Sequence, residues 1–283
     1  MDLIGVVGAG TMGTGVAINA ALAGFEVVLV EKDTQAFEAA PGRLRTALQL
    51  TALLDRSKVE HLDSQQDALR RISIESSLDR LAQAMVVFEC ISESLQEKQE
   101  LYEELDRICA RDTLFASNTS CIEINVLAQF THRPSKVLGV HFMNPASLRP
   151  FVEITKGRST SEQTLNIATK VLAALGKDHE IVNDSPGFVI NRVLMLAINE
   201  AIGVVEEQVA DCRQVDNLFE KCLGHKTGPL ATADLIGLDV IADSLIVLRN
   251  RFDNGIYEPK SLLKEKVARG ELGVKSKQGF YKY

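Results

Sequence analysis

The stretch Gly8-Ala9-Gly10-Thr11-Met12-Gly13 constrains this chain more than any other. It follows a short apolar run, Leu3 to Val7, and opens a segment rich in Ala, Ile and Val that continues to Ala23. A second run, Glu26-Val-Val-Leu-Val-Glu31, comes next. This reads as strand, helix, strand in about thirty residues, the length that a parallel crossover needs. The first glycine permits a tight turn, the second lets the backbone approach a pyrophosphate, and the third lets helix and strand pack closely. The helix N-terminus then faces the phosphates. Gly8, Gly10, Thr11, Met12 and Gly13 are therefore candidate dinucleotide-binding residues. Glu31 joins them: a carboxylate at the end of the second strand hydrogen-bonds ribose hydroxyls and repels a 2′-phosphate, which favours NAD over NADP. Lys32 beside it weakens that exclusion.

With 283 residues, 46% hydrophobic and 24% charged, the chain can bury a full core and is expected to form two domains. A net charge of −7, with no basic cluster longer than a pair or triplet, argues against nucleic-acid binding. The early apolar run ends at once in glycines, so neither a secretion signal nor a spanning helix is expected, and the protein is read as cytoplasmic with no membrane role. The five cysteines (Cys90, Cys109, Cys121, Cys212, Cys222) are scattered without CxxC spacing. They are read as reduced, mostly core residues with no metal site.

Further strands are expected at Met85 to Ile91, Leu114 to Ala116, Val137 to His141, Phe151 to Ile154 and Glu180 to Val182, with helical patterns between most of them. The fold class is α/β, a Rossmann-type doubly wound sheet. Residues 34 to 72 break the rhythm with a polar, Leu-spaced stretch, read as a pair of helices projecting from the sheet. The composition changes at Asn183-Asp184-Ser185-Pro186-Gly187, where Asp or Ser can cap a helix and Pro sits near its first turn. The boundary gives an NAD-binding domain over 1–183 and an all-helical domain for substrate and dimerisation over 184–283. Pro186 to Val209 reads as a long helix, apolar on most sides, that could pack against its counterpart in a homodimer.

His141 ends one strand-like run and Glu153 lies within the next. If those strands are neighbours, the carboxylate reaches one imidazole nitrogen and leaves the other free to take a proton, the arrangement an alcohol dehydrogenation needs. Taken alone, a histidine at a strand end is more often structural.

The motifs GAGTMG, FECISESLQEKQ, SNTS, HFMNP, VEI, DSPGFVINR, GPLATADLIGLD and KSKQGFYKY run in order nearly from end to end. In them the chain resembles the 3-hydroxyacyl-CoA dehydrogenase family, whose short bacterial form comprises the 3-hydroxybutyryl-CoA dehydrogenases. The resemblance implies that His141 is the catalytic base and Glu153 its orienting partner. It implies that Ser120 and Asn191 hydrogen-bond the substrate oxygen and that Asn144 sits close to the base. Glu93 and Lys98 match positions near the nicotinamide side of the cofactor, and Asn118 lies in the loop approaching the same ring. Glu93 to Lys98 reads equally as an ordinary helix-start charge pattern. The implied reaction is reversible oxidation of the hydroxyl of an acyl thioester, with NAD as hydride acceptor.

Two places depart from the family. Arg149-Pro150 stands where Met-Lys is usual, and an arginine near an acyl pocket is best matched by a carboxylate; equally, it turns to solvent. The run LQLTALLDRSK lacks the usual lysines for CoA phosphates, with Arg56, Lys58, Arg70 and Arg71 remaining as anion contacts. Together these leave open a second substrate, a hydroxymalonyl group on an acyl carrier protein (ACP) in a polyketide pathway, beside an ordinary acyl-CoA. A third reading is a non-catalytic NAD-binding sensor or structural protein.

Overall fold

A computed structural model describes residues 2–60, 65–253 and 255–283. The chain divides into two compact units at Ser185/Pro186. Among the described residues, the first unit contains β1 (Leu3–Val7), α1 (Thr11–Leu22), β2 (Glu26–Val30), α2 (Thr34–Leu54), α3 (Gln65–Arg70), β3 (Ile72–Glu75), β4 (Val86–Glu89), α4 (Leu95–Ile108), β5 (Leu114–Ser117), α5 (Ile124–Leu127), β6 (Val137–Phe142), β7 (Phe151–Lys156), α6 (Glu162–Ala174) and β8 (Asp178–Asn183). These eight strands form one sheet in the order β3-β2-β1-β4-β5-β6-β7-β8. Every neighbouring pair is parallel except β6 and β7.

The exception has a simple cause. Helices or long connections lead from one strand to the next elsewhere, but only residues 143–150 separate β6 from β7. A parallel return needs a crossover of about a dozen residues or more. The chain must therefore reverse, and the reversal places His141 directly opposite Glu153.

The central strands are buried along their length, as expected where helices cover both faces of a parallel sheet. The outer strands β3 and β8 are only partly buried. β3 is absent from the strands expected from the sequence, and it overlaps the expected helical stretch 34–72 only at Ile72. Its four residues, Ile-Ser-Ile-Glu, are too short and half-polar to register as a strand run, and β3 follows the projecting helices as an edge strand beside β2. The expected pair is otherwise α2, 21 residues long, and α3.

The second unit is helical: α7 (Ile190–Glu206), α8 (Cys212–Leu223), α9 (Pro229–Ile236), α10 (Leu238–Phe252) and α11 (Ser261–Ala268). α7 begins later than the sequence suggested. Asp184 does not cap it; its carboxylate instead accepts from the backbone N–H groups of Ile124 (3.0 Å) and Asn125 (2.7 Å) at the start of α5. α7 also buries one side only, through Met195, Ile198 and Ile202, while Val193 is 63% exposed.

Two buried aspartates hold the end of the chain. Asp216 of α8 accepts from the first-turn N–H groups of α9 at Leu230 (2.8 Å) and Ala231 (2.9 Å) and from the Tyr281 hydroxyl (2.8 Å). Asp234 of α9 accepts from the N–H groups of Phe280 (2.9 Å) and Tyr281 (2.8 Å) and from the Tyr283 hydroxyl (3.2 Å). Gly279 passes so close to Asp234 that a Cβ there would lie 2.0 Å from its Oδ1. Hydrogen bonds to a charged group contribute about 1.5–3 kcal/mol each. Asp234→Ala should accordingly destabilise the second unit by about 3 kcal/mol or more, read as a lowered urea midpoint; an unchanged midpoint would contradict this role.

Candidate active site

The carboxyl ends of the parallel strands are where an open α/β sheet presents its loops for binding. The predicted site residues of the first unit gather there. After β1, Gly8 adopts φ +100°, a conformation that side chains other than glycine rarely take, and a Cβ on Gly13 would lie 1.8 Å from the Gly8 carbonyl oxygen. A Cβ on Gly10 would meet nothing within 4 Å. The loop thus packs tightly through Gly8 and Gly13 and leaves open space at Gly10. No side chain caps α1, which starts at Thr11 and Met12, so its first turn can face an anion.

Glu31, just beyond β2, accepts from the N–H of Ala9 (2.8 Å) and of Asp33 (3.0 Å). Its carboxylate is fixed against the glycine loop. A cavity of about 520 Å³ opens here, lined by Gly8, Gly10, Glu31, Arg43, Ile91 and Leu101 among others. The open backbone at Gly10 and the fixed carboxylate fit the demands of a dinucleotide, which needs close backbone approach to its phosphates and an acceptor for its ribose hydroxyls. Lys32 is drawn away to Glu104, 2.6 Å distant.

Beyond β4, a buried ion pair underlies the site. Lys98 Nζ lies 2.5 Å from Glu89 Oε1, with both side chains 1% exposed, and 3.7 Å from Glu93 Oε2. Ser117 at the end of β5 donates to the other Glu89 oxygen at 2.6 Å. A lysine buried this deeply requires a partner, which Glu89 supplies. Glu93 Oε1 then collects the next loop: it accepts from the Thr119 hydroxyl (2.6 Å) and from the N–H groups of Ser120 (3.0 Å), Cys121 (2.8 Å) and Ile122 (3.4 Å). Asn118 ties the same loop to β6, its Oδ1 accepting from the Phe142 N–H at 2.9 Å.

These contacts bring Ser120 to His141. Ser120 Oγ lies 3.3 Å from His141 Nε2, and Glu153 Oε2 lies 3.3 Å from His141 Nδ1. His141 and Glu153 are both buried. A carboxylate can only accept, so it favours the proton on Nδ1 and leaves Nε2 as an acceptor facing the Ser120 hydroxyl. The arrangement gives an imidazole with a carboxylate on one ring nitrogen and a hydroxyl on the other, a geometry that suits a general base.

Asn144 is exposed and lines a second cavity of about 430 Å³ with Thr11, Thr14, Arg43, Thr46 and Ser147. Arg149 is exposed too, its Nε 3.4 Å from the Asn144 carbonyl oxygen of its own segment. Asn191 occupies the first turn of α7 in the second unit. Of the remaining cationic candidates, Arg71 donates to the Ala21 carbonyl, Lys58 to that of Ser147, Arg70 pairs with Asp67, and Arg56 is exposed. Cys109 and Cys121 are buried, Cys90 and Cys212 half-buried and Cys222 exposed, so fewer cysteines are core residues than the sequence suggested.

Two residues of this region carry no role in the sequence reading. Glu89 ends an apolar strand run as Glu31 does, and that parallel was the available signal. Arg43 lines both cavities and donates to the Ala9 carbonyl at 2.9 Å; it lay hidden in the stretch read only as a projection.

The glycine loop, the acidic strand end and the histidine–carboxylate pair define a dinucleotide-binding α/β unit equipped for acid–base chemistry. Residues 3–185 match the family described as 3-hydroxyacyl-CoA dehydrogenase, NAD binding domain, and residues 187–283 match the C-terminal domain of the same enzymes. The chain is 41% identical over 279 residues to a probable 3-hydroxybutyryl-CoA dehydrogenase of Bacillus subtilis, covering 98% of this chain and 96% of that protein. The solved structure of (S)-3-hydroxybutyryl-CoA dehydrogenase from Ralstonia eutropha matches with a TM-score of 0.91 and 36% identity, over 100% of this chain and 99% of that one. FadB2 of Mycobacterium tuberculosis matches with a TM-score of 0.94 and 35% identity, over 99% and 98%. The chain belongs to the 3-hydroxyacyl-CoA dehydrogenase family.

The loop geometry carries its own test. With four donors converging on one carboxylate oxygen, Glu93→Ala should raise the amide hydrogen exchange of Ser120 and Cys121 by about tenfold or more. Exchange at the unaltered rate would show that Glu93 does not hold the loop.

Proposed function

We propose that this protein is an NAD-dependent dehydrogenase that oxidises the hydroxyl of a 3-hydroxyacyl-CoA thioester to a ketone and catalyses the reverse reduction. The observation that carries the reading is the buried His141–Glu153 pair, in register across β6 and β7, with Ser120 at the other ring nitrogen. In oxidation, His141 Nε2 takes the hydroxyl proton, and Glu153 stabilises the imidazolium that results. A nicotinamide cofactor, when bound, would supply the acceptor for the hydride on the carbon that bears this hydroxyl. Ser120 donates to the substrate oxygen and holds it against the base. In reduction, the imidazolium returns its proton to that oxygen.

NAD is the assigned cofactor. Glu31, locked by Ala9 and Asp33, places a negative charge where a 2′-phosphate would have to lie, and Lys32 is engaged with Glu104. The hydroxymalonyl-ACP reading is not favoured: Arg149 is exposed and leans on its own segment, and the Bacillus subtilis and Ralstonia eutropha relatives are described as a probable 3-hydroxybutyryl-CoA dehydrogenase and an (S)-3-hydroxybutyryl-CoA dehydrogenase. The sensor reading has no account of why a buried imidazole and carboxylate should be kept facing each other.

No helix among the described residues is long and apolar enough to cross a membrane. The cysteines lie scattered through both units, and we place the protein in the reducing cytoplasm. Val193, Val209, Leu218, Leu223 and Leu235 of the second unit are large apolar side chains left exposed, and we assign them to a homodimer interface.

With 3-hydroxybutyryl-CoA and NAD, His141→Ala and Glu153→Gln should each lower kcat by about 10²–10⁴-fold while NADH affinity stays unchanged. Near-normal turnover by the His141 variant would end this mechanism. Glu31→Ala should raise the KM for NAD and narrow its advantage over NADP; an unchanged ratio would remove Glu31 from the specificity. Sedimentation at micromolar concentration should give twice the chain mass of 31.0 kDa, and a monomer would refute the interface.

A further inference from the structure

Two lysines act on the segment that follows the histidine. Residues 143–150 connect β6 to β7 and carry Asn144. Lys177, the residue before β8, is 2% exposed, and its Nζ donates to the carbonyl oxygens of Ala146 and Arg149, both at 2.7 Å. Lys58, in the turn beyond α2, donates from Nζ to the Ser147 carbonyl oxygen at 2.7 Å. Thr51 Oγ1 on α2 and Ser147 Oγ, both buried, lie 2.7 Å apart. Three carbonyls within four consecutive residues therefore hang on two amines supplied by distant parts of the chain.

Such an arrangement is costly. Neither lysine forms an ion pair among the described residues, and burial without a counter-ion disfavours an ammonium group. Burial lowers Lys177 to about 7, with the like charge of Lys58 adding to the effect. Burial also lowers Lys58, opposed by the carboxylate of Asp55. A surface loop needing only to close could be built from turn residues alone. What the two amines fix is the position of this segment relative to α2.

That position bounds the cavity of about 430 Å³. Asn144, Pro145, Ala146 and Ser147 form one wall, and residues of α1 and α2, including Thr14 and Thr46, form the others. Lys177 holds the wall from the side of β8, while Lys58 and Thr51 hold it at α2. We propose that Lys177 and Lys58 are positioning residues of the dehydrogenase reaction, setting the wall formed by residues 144–147 at the separation from α1 and α2 that admits the thioester arm of the substrate. The inference rests on the thioester dehydrogenase function proposed above. Neither lysine touches the reacting atoms.

The test separates positioning from mere folding. KM and kcat for 3-hydroxybutyryl-CoA, the NADH dissociation constant and the melting temperature would be measured for the unaltered protein, Lys177→Met, Lys58→Met and the double variant. A displaced wall weakens thioester binding, so KM should rise about tenfold in Lys177→Met and by a smaller factor in Lys58→Met, with kcat and NADH affinity nearly constant. Because both lysines act on one segment, the double variant should lose less than the product of the single effects. A purely structural role would lower apparent kcat through fewer folded molecules and leave KM unchanged, and that result would overturn the proposal. Lys58 is only half-buried, so its variant carries the test even if Lys177→Met does not fold. Absence of turnover by the unaltered protein would instead contradict the thioester reading and remove the proposal with it.

Discussion

The structure depends on one reversal of chain direction. Parallel strands build the sheet up to β6, and residues 143–150 are too few to carry the chain back for another parallel neighbour. β7 must run the other way, and with the register observed Glu153 stands across from His141. In a sheet the side chains of directly opposed residues share a face, so the carboxylate meets the imidazole without any loop having to deliver it. The acid–base pair is thus fixed by backbone hydrogen bonding, the most rigid support a fold offers. Both groups are also buried, where an electrostatic interaction is stronger than in water and an unpaired charge is more costly.

Around that pair, charge is handed inward from one strand end to the next. Glu89 ends β4 and binds the buried Lys98; Lys98 approaches Glu93; Glu93 gathers the loop from Thr119 to Ile122; and that loop delivers Ser120 to the imidazole. A single surface ion pair would contribute little, but this chain of contacts is largely buried at its base and ends at the His141 imidazole. Glu31 plays a matching part beyond β2, where it binds the glycine loop before it meets any ligand. Carboxylates in this unit therefore do structural work at the same edge of the sheet where binding and catalysis are assigned.

Much of this was legible in the sequence because it rests on local pattern. The glycine loop needs particular residues at fixed spacing, and Gly8 and Gly13 occupy the strained and crowded positions that the spacing implies. The runs at Val86–Glu89, Val137–Phe142 and Phe151–Lys156 are apolar enough to read as buried strands. What escaped has a physical reason in each case. β3 is four residues long and half-polar. Asp184 was legible as a helix cap, but which helix it caps is a tertiary fact, and it serves α5, about sixty residues earlier in the chain. Lys177 looks like any lysine beside a glycine, since nothing local announces that its amine will be buried against two carbonyls thirty residues away. Arg149, for which the sequence left a carboxylate ligand and solvent equally open, has an exposed side chain.

The proposed mechanism requires that Glu153 fix the histidine proton on Nδ1, so that Nε2 is the acceptor that takes the substrate proton. The most direct measurement is ¹⁵N NMR of the His141 ring in labelled protein near neutral pH, compared with the Glu153→Gln variant. The geometry predicts that neutral His141 carries its proton on Nδ1 in the unaltered protein, and that this preference weakens when the carboxylate becomes an amide. A ring protonated on Nε2, or a tautomer indifferent to the substitution, would contradict it.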